Sequence, residues 1–200
     1  MMYRVYTGVD TLAYLWADAP AAMHDLFKIM EKSYQRQYRI AAASKADALV
    51  GMDDTSTTVI SPDMFGEFCL DCTNQRADIC HEAGRLYFHH SCGLIRNLLE
   101  LYQQTRMDAV HAFNTPPTGD VTIREGRQKL GDKITIIVTL TQLFGDMEER
   151  PAVGDSIKDM FHEAMPGDHF ILCLAPDPGK TMIETTFVAN ECEKYRRLRG

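Results

Sequence analysis

"LYFHHSCG", residues 86–93, opens apolar and closes on two histidines, a serine, a cysteine and a glycine. Its apolar part reads as a buried strand. Side chains alternate along an extended chain, so His90 and Cys92 project to one side and His89 to the other. An imidazole nitrogen and a thiolate two residues apart can meet one ion at about 2.0–2.3 Å. The same residues suit a catalytic thiol. They also suit a strand end whose polar groups are satisfied by neighbours, with Cys92 a small buried hydrophobe. His89, turned the other way, reads as a packing histidine outside the site.

Outward from this strand, helix and strand alternate. Residues 10–44 carry helical periodicity, with Asp18 and Pro20 marking the start of a second helix. "ADALVG" (46–51) is a short strand, followed by the loop "MDDTSTTVIS" (52–61). Ser61 caps the next helix, Pro62 takes its first position, and Gly84 stops it after about Glu82. Strands follow at 85–90, 107–113 ("MDAVHAF"), 133–140 ("KITIIVTL") and 169–175 ("HFILCLA"). Helices are predicted at 94–105, at 121–131, within 146–165 and within 181–198. The strands are apolar without polar alternation, which predicts burial on both faces in a parallel sheet with helices outside.

Polar residues gather at the strand ends. Asp53 and Asp54 follow the first strand, and His89, His90 and Cys92 end the second. Asn114 to Asp120 follow the third, Thr139 to Gln142 end the fourth, and Cys173 lies in the fifth. In parallel α/β folds the C-terminal strand ends form the active-site face. Asp53 and Asp54 suit a general acid/base, a metal ligand or a loop cap. Adjacent residues on an extended chain face opposite sides, so one of the two enters the pocket.

Bulk properties exclude other classes. The 200-residue chain has a net charge of −7, against a general nucleic-acid binder. No apolar stretch approaches the ~18–20 residues that span a bilayer, and "MMYRVYTGVD" lacks the apolar region of a secretory signal. The cysteines at 69, 72, 80, 92, 173 and 192 then read as reduced thiols or metal ligands, and the expected location is cytoplasmic. Cys69 and Cys72, inside the 62–83 helix, read as packing thiols and not as a zinc knuckle. "DPGK" (177–180) lacks the glycine spacing of a phosphate loop.

Four stretches together carry a resemblance: "GMDDTSTTVISPDMFGEF" (51–68), "HEAGRLYFHHSCGLIRNLL" (81–99), "MDAVHAFNTPPTGDV" (107–121) and "TMIETTFV" (181–188). In order and spacing they resemble the aspartate loop, SPxMF helix start, HxCG strand end and last strand–helix unit of the uroporphyrinogen decarboxylase superfamily. That superfamily includes the zinc-dependent methylcobamide:coenzyme M methyltransferases. The resemblance implies a (β/α)₈ TIM-barrel type fold over residues 1–200 as one domain. A complete barrel takes ~250 residues, so a partial barrel of about five βα units is expected, beginning near the family's fourth strand. An open barrel exposes two parallel edges and part of its interior. The implied assembly is a fragment of a longer product, a homodimer, or a pairing with a missing N-terminal half.

In the methyltransferase branch, His-x-Cys plus a distant Cys holds zinc, which lowers the pKa of a substrate thiol. The resemblance therefore implies His90, Cys92 and Cys173 as metal ligands. The family's third ligand lies a few residues further on, where this chain has "CLAPDPGK" (173–180). In the decarboxylases the aspartate loop supplies a serine beside an aspartate. Asp54 matches the serine position, which favours it over Asp53 as the catalytic acid in the pocket. The expected function is methyl transfer from a corrinoid-type carrier, with a corrinoid protein as possible partner, to a zinc-activated thiol of a small-molecule substrate. The alternatives are uroporphyrinogen decarboxylase and a non-catalytic barrel fragment. The strict decarboxylase is disfavoured because three features have no counterpart: an arginine-containing N-terminal segment, the serine, and a tail histidine.

Overall fold

The computed structural model describes residues 7–140, 150–174 and 182–196. Five strands form one sheet: β1 (Ala48–Gly51), β2 (Leu86–His90), β3 (Ala109–Phe113), β4 (Thr135–Leu140) and β5 (Phe170–Leu174). All neighbours are parallel and the order is β1-β2-β3-β4-β5. A sheet in which each crossover leads to the adjacent strand, without reversal of order, winds as a barrel and not as a doubly wound sheet. The structure is an α/β partial barrel.

α1 (Val9–Asp18) and α2 (Pro20–Ala42) precede the sheet. α3 (Pro62–Met64) passes through a π-helical stretch, Phe65–Cys69, into α4 (Leu70–Glu82). A 3₁₀ turn (Arg96–Leu98) leads into α5 (Leu99–Tyr102), followed among the described residues by α6 (Ile123–Leu130), α7 (Arg150–Glu163) and α8 (Met182–Arg196). The Ser61 hydroxyl accepts the Met64 N–H at 3.2 Å, the cap expected from sequence. Thr122 and Glu125 form a reciprocal capping box at α6.

The helix expected over 94–105 is reduced to the 3₁₀ turn and one α turn. The Asp120 carboxylate takes the N–H groups of Ile95 and Arg96, at 2.8 and 3.1 Å. At the other end Lys133 donates to the carbonyls of Gln103 and Thr105. These side chains satisfy the backbone that a longer helix would have paired internally. Asp120 is thus occupied as a loop cap.

One face of the sheet packs under the helices. Tyr87, Val110, Phe113, Ile136 and Val138 join Phe65, Ala77, Leu98 and Tyr102 in the main core. A smaller cluster of Leu140, Val153, Ile157 and Val188 lies at the α7–α8 end. The opposite face is open toward the edges of the sheet. Val50, Leu86 and Ile171, which alternate with core residues, are 42%, 46% and 46% exposed. Burial on both faces, expected from the apolar strands, therefore holds in the middle of the sheet, where Ala109 and Ile137 on this second face are buried, and fails toward its edges. A barrel interior is apolar too, and five strands do not close around it. Among the described residues no helix is long and apolar enough to cross a membrane.

Arg76 ties this layer to the loop after β1. It projects from α4 beneath the rings of Tyr34 and Tyr38, 5.2 and 5.6 Å from their centroids. Its guanidinium donates to both Glu31 oxygens, at 3.2 and 2.5 Å, and to Asp53. The Arg76 and Glu31 side chains are only 8% and 12% exposed. Nearby, buried His89 places Nε2 2.8 Å from the Thr55 hydroxyl. Burial pushes the His89 pKa down from 6.5 to about 4, so the ring is neutral.

Removing Arg76 alone leaves two carboxylates without their buried countercharge. Arg76→Met is expected to lower unfolding free energy by about 3–5 kcal/mol in urea titrations, and adding Glu31→Met and Asp53→Asn recovers most of it. A second expectation concerns pH. The unfolded chain protonates His89 near 6.5 and the folded chain near 4, so this stability is full above pH 6.5 and drains away as pH falls toward 4. The loss is roughly 3 kcal/mol. Urea midpoints measured from pH 7 to pH 4 should fall more steeply for wild type than for His89→Gln.

Candidate metal centre

The site begins with a turn. Beyond β1, Asp54 adopts a left-handed conformation at φ 55°, which aspartate tolerates better than most residues. Its N–H donates to the His90 carbonyl at 3.1 Å, fastening the exit of β1 to the exit of β2. The turn sends Asp53 toward Arg76 and Asp54 toward the other face. There the Cys92 thiol donates to Asp54 Oδ1 at 2.7 Å, and His90 Nε2 lies 3.9 Å from the same oxygen.

The surrounding chain holds this arrangement. Thr57 N–H donates to the Leu94 carbonyl at 2.8 Å, and Leu94 N–H donates to the Ser56 hydroxyl at 3.2 Å. Ser91 donates to the Thr55 carbonyl and shares a 2.6 Å hydrogen bond with the Tyr102 hydroxyl. Gly93 sits at φ 93°, and a Cβ there would lie 3.0 Å from the Ser56 hydroxyl oxygen. Glycine is required for the HxCG turn to close on the aspartate loop.

An Asp54 carboxylate oxygen, a His90 ring nitrogen and the Cys92 sulfur lie within 4.8 Å of one another. Among the described residues, this is the one cluster of three metal-ligating side chains so gathered. Tetrahedral ligands at 2.0–2.3 Å from an ion stand about 3.3–3.8 Å apart. One oxygen, one nitrogen and one sulfur donor, mostly shielded from solvent, match the donor chemistry that suits zinc.

The remaining sequence candidates fall elsewhere. Asp53 is committed to Arg76. Cys173 lies on β5, three strands from β2 and about 14 Å along the sheet. Its thiol donates to the Leu174 carbonyl at 3.4 Å, and it is not part of the cluster. The stretch 175–180, in which the resemblance looks for the family's third ligand, and Thr141 and Gln142 lie outside the described residues. His89 is on the helix side, as its alternation with His90 predicts. Burial pushes the Cys69 and Cys72 thiols up to about 12, which keeps them protonated, and neither belongs to the cluster. Between α1, α2 and the α3–α4 segment lies a cavity of about 140 Å³, walled by Phe27, Met30 and Phe68, with Asp53, Arg76 and His89 at its edge.

Sequence reading passed over His111. It pairs with His90 in the β2–β3 register, and the two Nδ1 atoms are 2.9 Å apart. Burial lowers its pKa. The available signal was a lone imidazole in the apolar strand "AVHAF" (109–113). Its partner could not be named without the register.

Comparison with known proteins agrees with this architecture. The family model "Uroporphyrinogen decarboxylase (URO-D)" matches residues 1–177. A methyltransferase from Methanosarcina mazei superposes with a TM-score of 0.74 at 14% identity, over 94% of this chain and 54% of that one. The chain thus spans about half the length of that methyltransferase. A GH5-4 broad specificity endoglucanase from an uncultured bacterium gives 0.52 at 10% identity, over 86% of this chain and 63% of that one. No curated protein sequence matches. At such identities the superpositions speak for the fold alone, whereas the family model reads the residues themselves across most of the chain. By that match, the chain belongs to the uroporphyrinogen decarboxylase family.

Proposed function

We propose that this chain forms the metal-bearing part of a methyltransferase-type enzyme of the family, with Asp54, His90 and Cys92 holding a zinc ion. The observation that carries this reading is the convergence of carboxylate, imidazole and thiol within 4.8 Å. Zinc bound there would act as a Lewis acid, lowering the pKa of a substrate thiol so that it is a thiolate at neutral pH. Cys92, whose thiol donates to Asp54, would bind as the thiolate, its proton passing to solvent. Asp54 supplies the donor that the sequence resemblance assigned to Cys173. The ordered 54–57 and 91–94 segments keep these side chains in place before any ligand arrives, which limits the entropy lost on binding. The methyl donor in this reading is a corrinoid-type carrier and the acceptor a small thiol.

The open face of the sheet bears on assembly. Val50, Leu86 and Ile171 stand where a closed barrel has its interior. We infer that further strands or a second copy of the chain cover them, completing the pocket wall.

Elemental analysis after zinc loading tests the metal. The expected result is one zinc per chain, lost in Cys92→Ala and His90→Ala, weakened at least tenfold in Asp54→Asn, and retained in Cys173→Ala. A chain that takes up no zinc yet decarboxylates uroporphyrinogen would overturn the reading. For assembly, sedimentation velocity of the isolated chain should show concentration-dependent association that Ile171→Asp weakens. A strictly monomeric wild type would exclude the second-copy arrangement.

A further inference from the structure

We propose that His111 is a positioning residue for the metal centre: it accepts a hydrogen bond from His90 Nδ1 and so presents the His90 Nε2 lone pair to the side where Asp54 and Cys92 converge. The functional consequence rests on the zinc reading above, while the hydrogen bond itself does not.

His90 and His111 are register partners on adjacent parallel strands, and both face away from the helix-packed core. Their Nδ1 atoms are 2.9 Å apart, a full hydrogen bond. Such a bond needs a proton on one nitrogen and a lone pair on the other, so two arrangements exist for neutral rings. If His111 donates, His90 carries its own proton on Nε2 and has no lone pair for an ion there. If His90 donates, Nε2 is bare. Nε2 is the His90 nitrogen that stands 3.9 Å from the Asp54 oxygen to which Cys92 is bonded. That separation is too long for a hydrogen bond from Nε2–H to this carboxylate oxygen, but it is close to the spacing of two ligands of a common ion. The second arrangement is therefore the one that a metal selects. Ligating imidazoles generally donate their remote N–H to an acceptor that fixes tautomer and ring plane. A second imidazole fills that place here.

The strand is shaped to deliver it. Pairing with β4 jumps from His111↔Ile137 to Phe113↔Val138, and Ala112 between them has φ 61°. This bulge lets Val110 and Phe113 both pack into the helix-side core while His111 keeps its place beside His90. His111 itself is outside the three-residue cluster, so its action goes through His90 and not through direct ligation.

Long-range ¹H–¹⁵N spectra of histidine-labelled, metal-free protein read the tautomers directly. His90 is expected to carry its proton on Nδ1 in wild type and to lose that preference in His111→Leu. Chelator competition should show zinc bound 10–100-fold more weakly by His111→Leu. His111→Gln, whose amide oxygen can accept the same hydrogen bond, should recover both the tautomer and most of the affinity. Loss of affinity from general damage would not be rescued by Gln and would leave the His90 tautomer unchanged. A wild-type His90 protonated on Nε2, or zinc bound equally by wild type and His111→Leu, would overturn the proposal. If wild type binds no zinc, the zinc reading fails, and the wild-type spectrum still decides whether His111 sets the tautomer.

Discussion

The Asp54 N–H bond to the His90 carbonyl is the contact on which the site depends. It joins two strand exits that lie 36 residues apart in sequence, and it requires a left-handed residue at the junction. With that conformation, neighbouring carboxylates serve two environments. Asp53 neutralises a buried guanidinium on the helix side, and Asp54 stands beside an imidazole and a thiol on the other. A right-handed or extended Asp54 would break the strand-to-strand bond and redirect both side chains.

Energetically the two sides are unequal. The exposed pairs Arg106–Asp78 and Arg96–Glu125 are screened by water and contribute little. The Arg76 cluster is different in kind, because its charges are shielded and its geometry is bidentate toward Glu31. It anchors α2 and α4 to the loop whose next residue is Asp54. Stability and site geometry are therefore coupled through one dipeptide. The neutral His89 beneath the same loop adds a hydrogen bond to Thr55 without a further charge to compensate.

The open inner face sets this chain apart from a self-contained barrel. Its apolar side chains at Val50, Leu86 and Ile171 follow the alternation that, on the covered face, makes the core. Family membership and the superposition on the Methanosarcina methyltransferase agree with a partial barrel that gathers its strand ends, and the candidate centre on them, along one rim.

Much of this was legible in the amino-acid order. β-branched and aromatic runs between helical periods located all five strands, because local propensity and burial pattern act over a few residues. Strand alternation likewise put His90 with Cys92 and apart from His89, since a two-residue period needs no tertiary information. The choice between Asp53 and Asp54 was only half legible: sequence required that they diverge, but the left-handed turn and buried Arg76 decide which goes where. His111 and the separation of Cys173 from the cluster were not legible at all. Both depend on strand register and on distance across the sheet, which arise when segments far apart in the chain pack together. Sequence alone determined the elements and the direction of each side chain along them. The tertiary structure alone decided which of those side chains meet, because contact between strands is set by register and packing and not by any local preference.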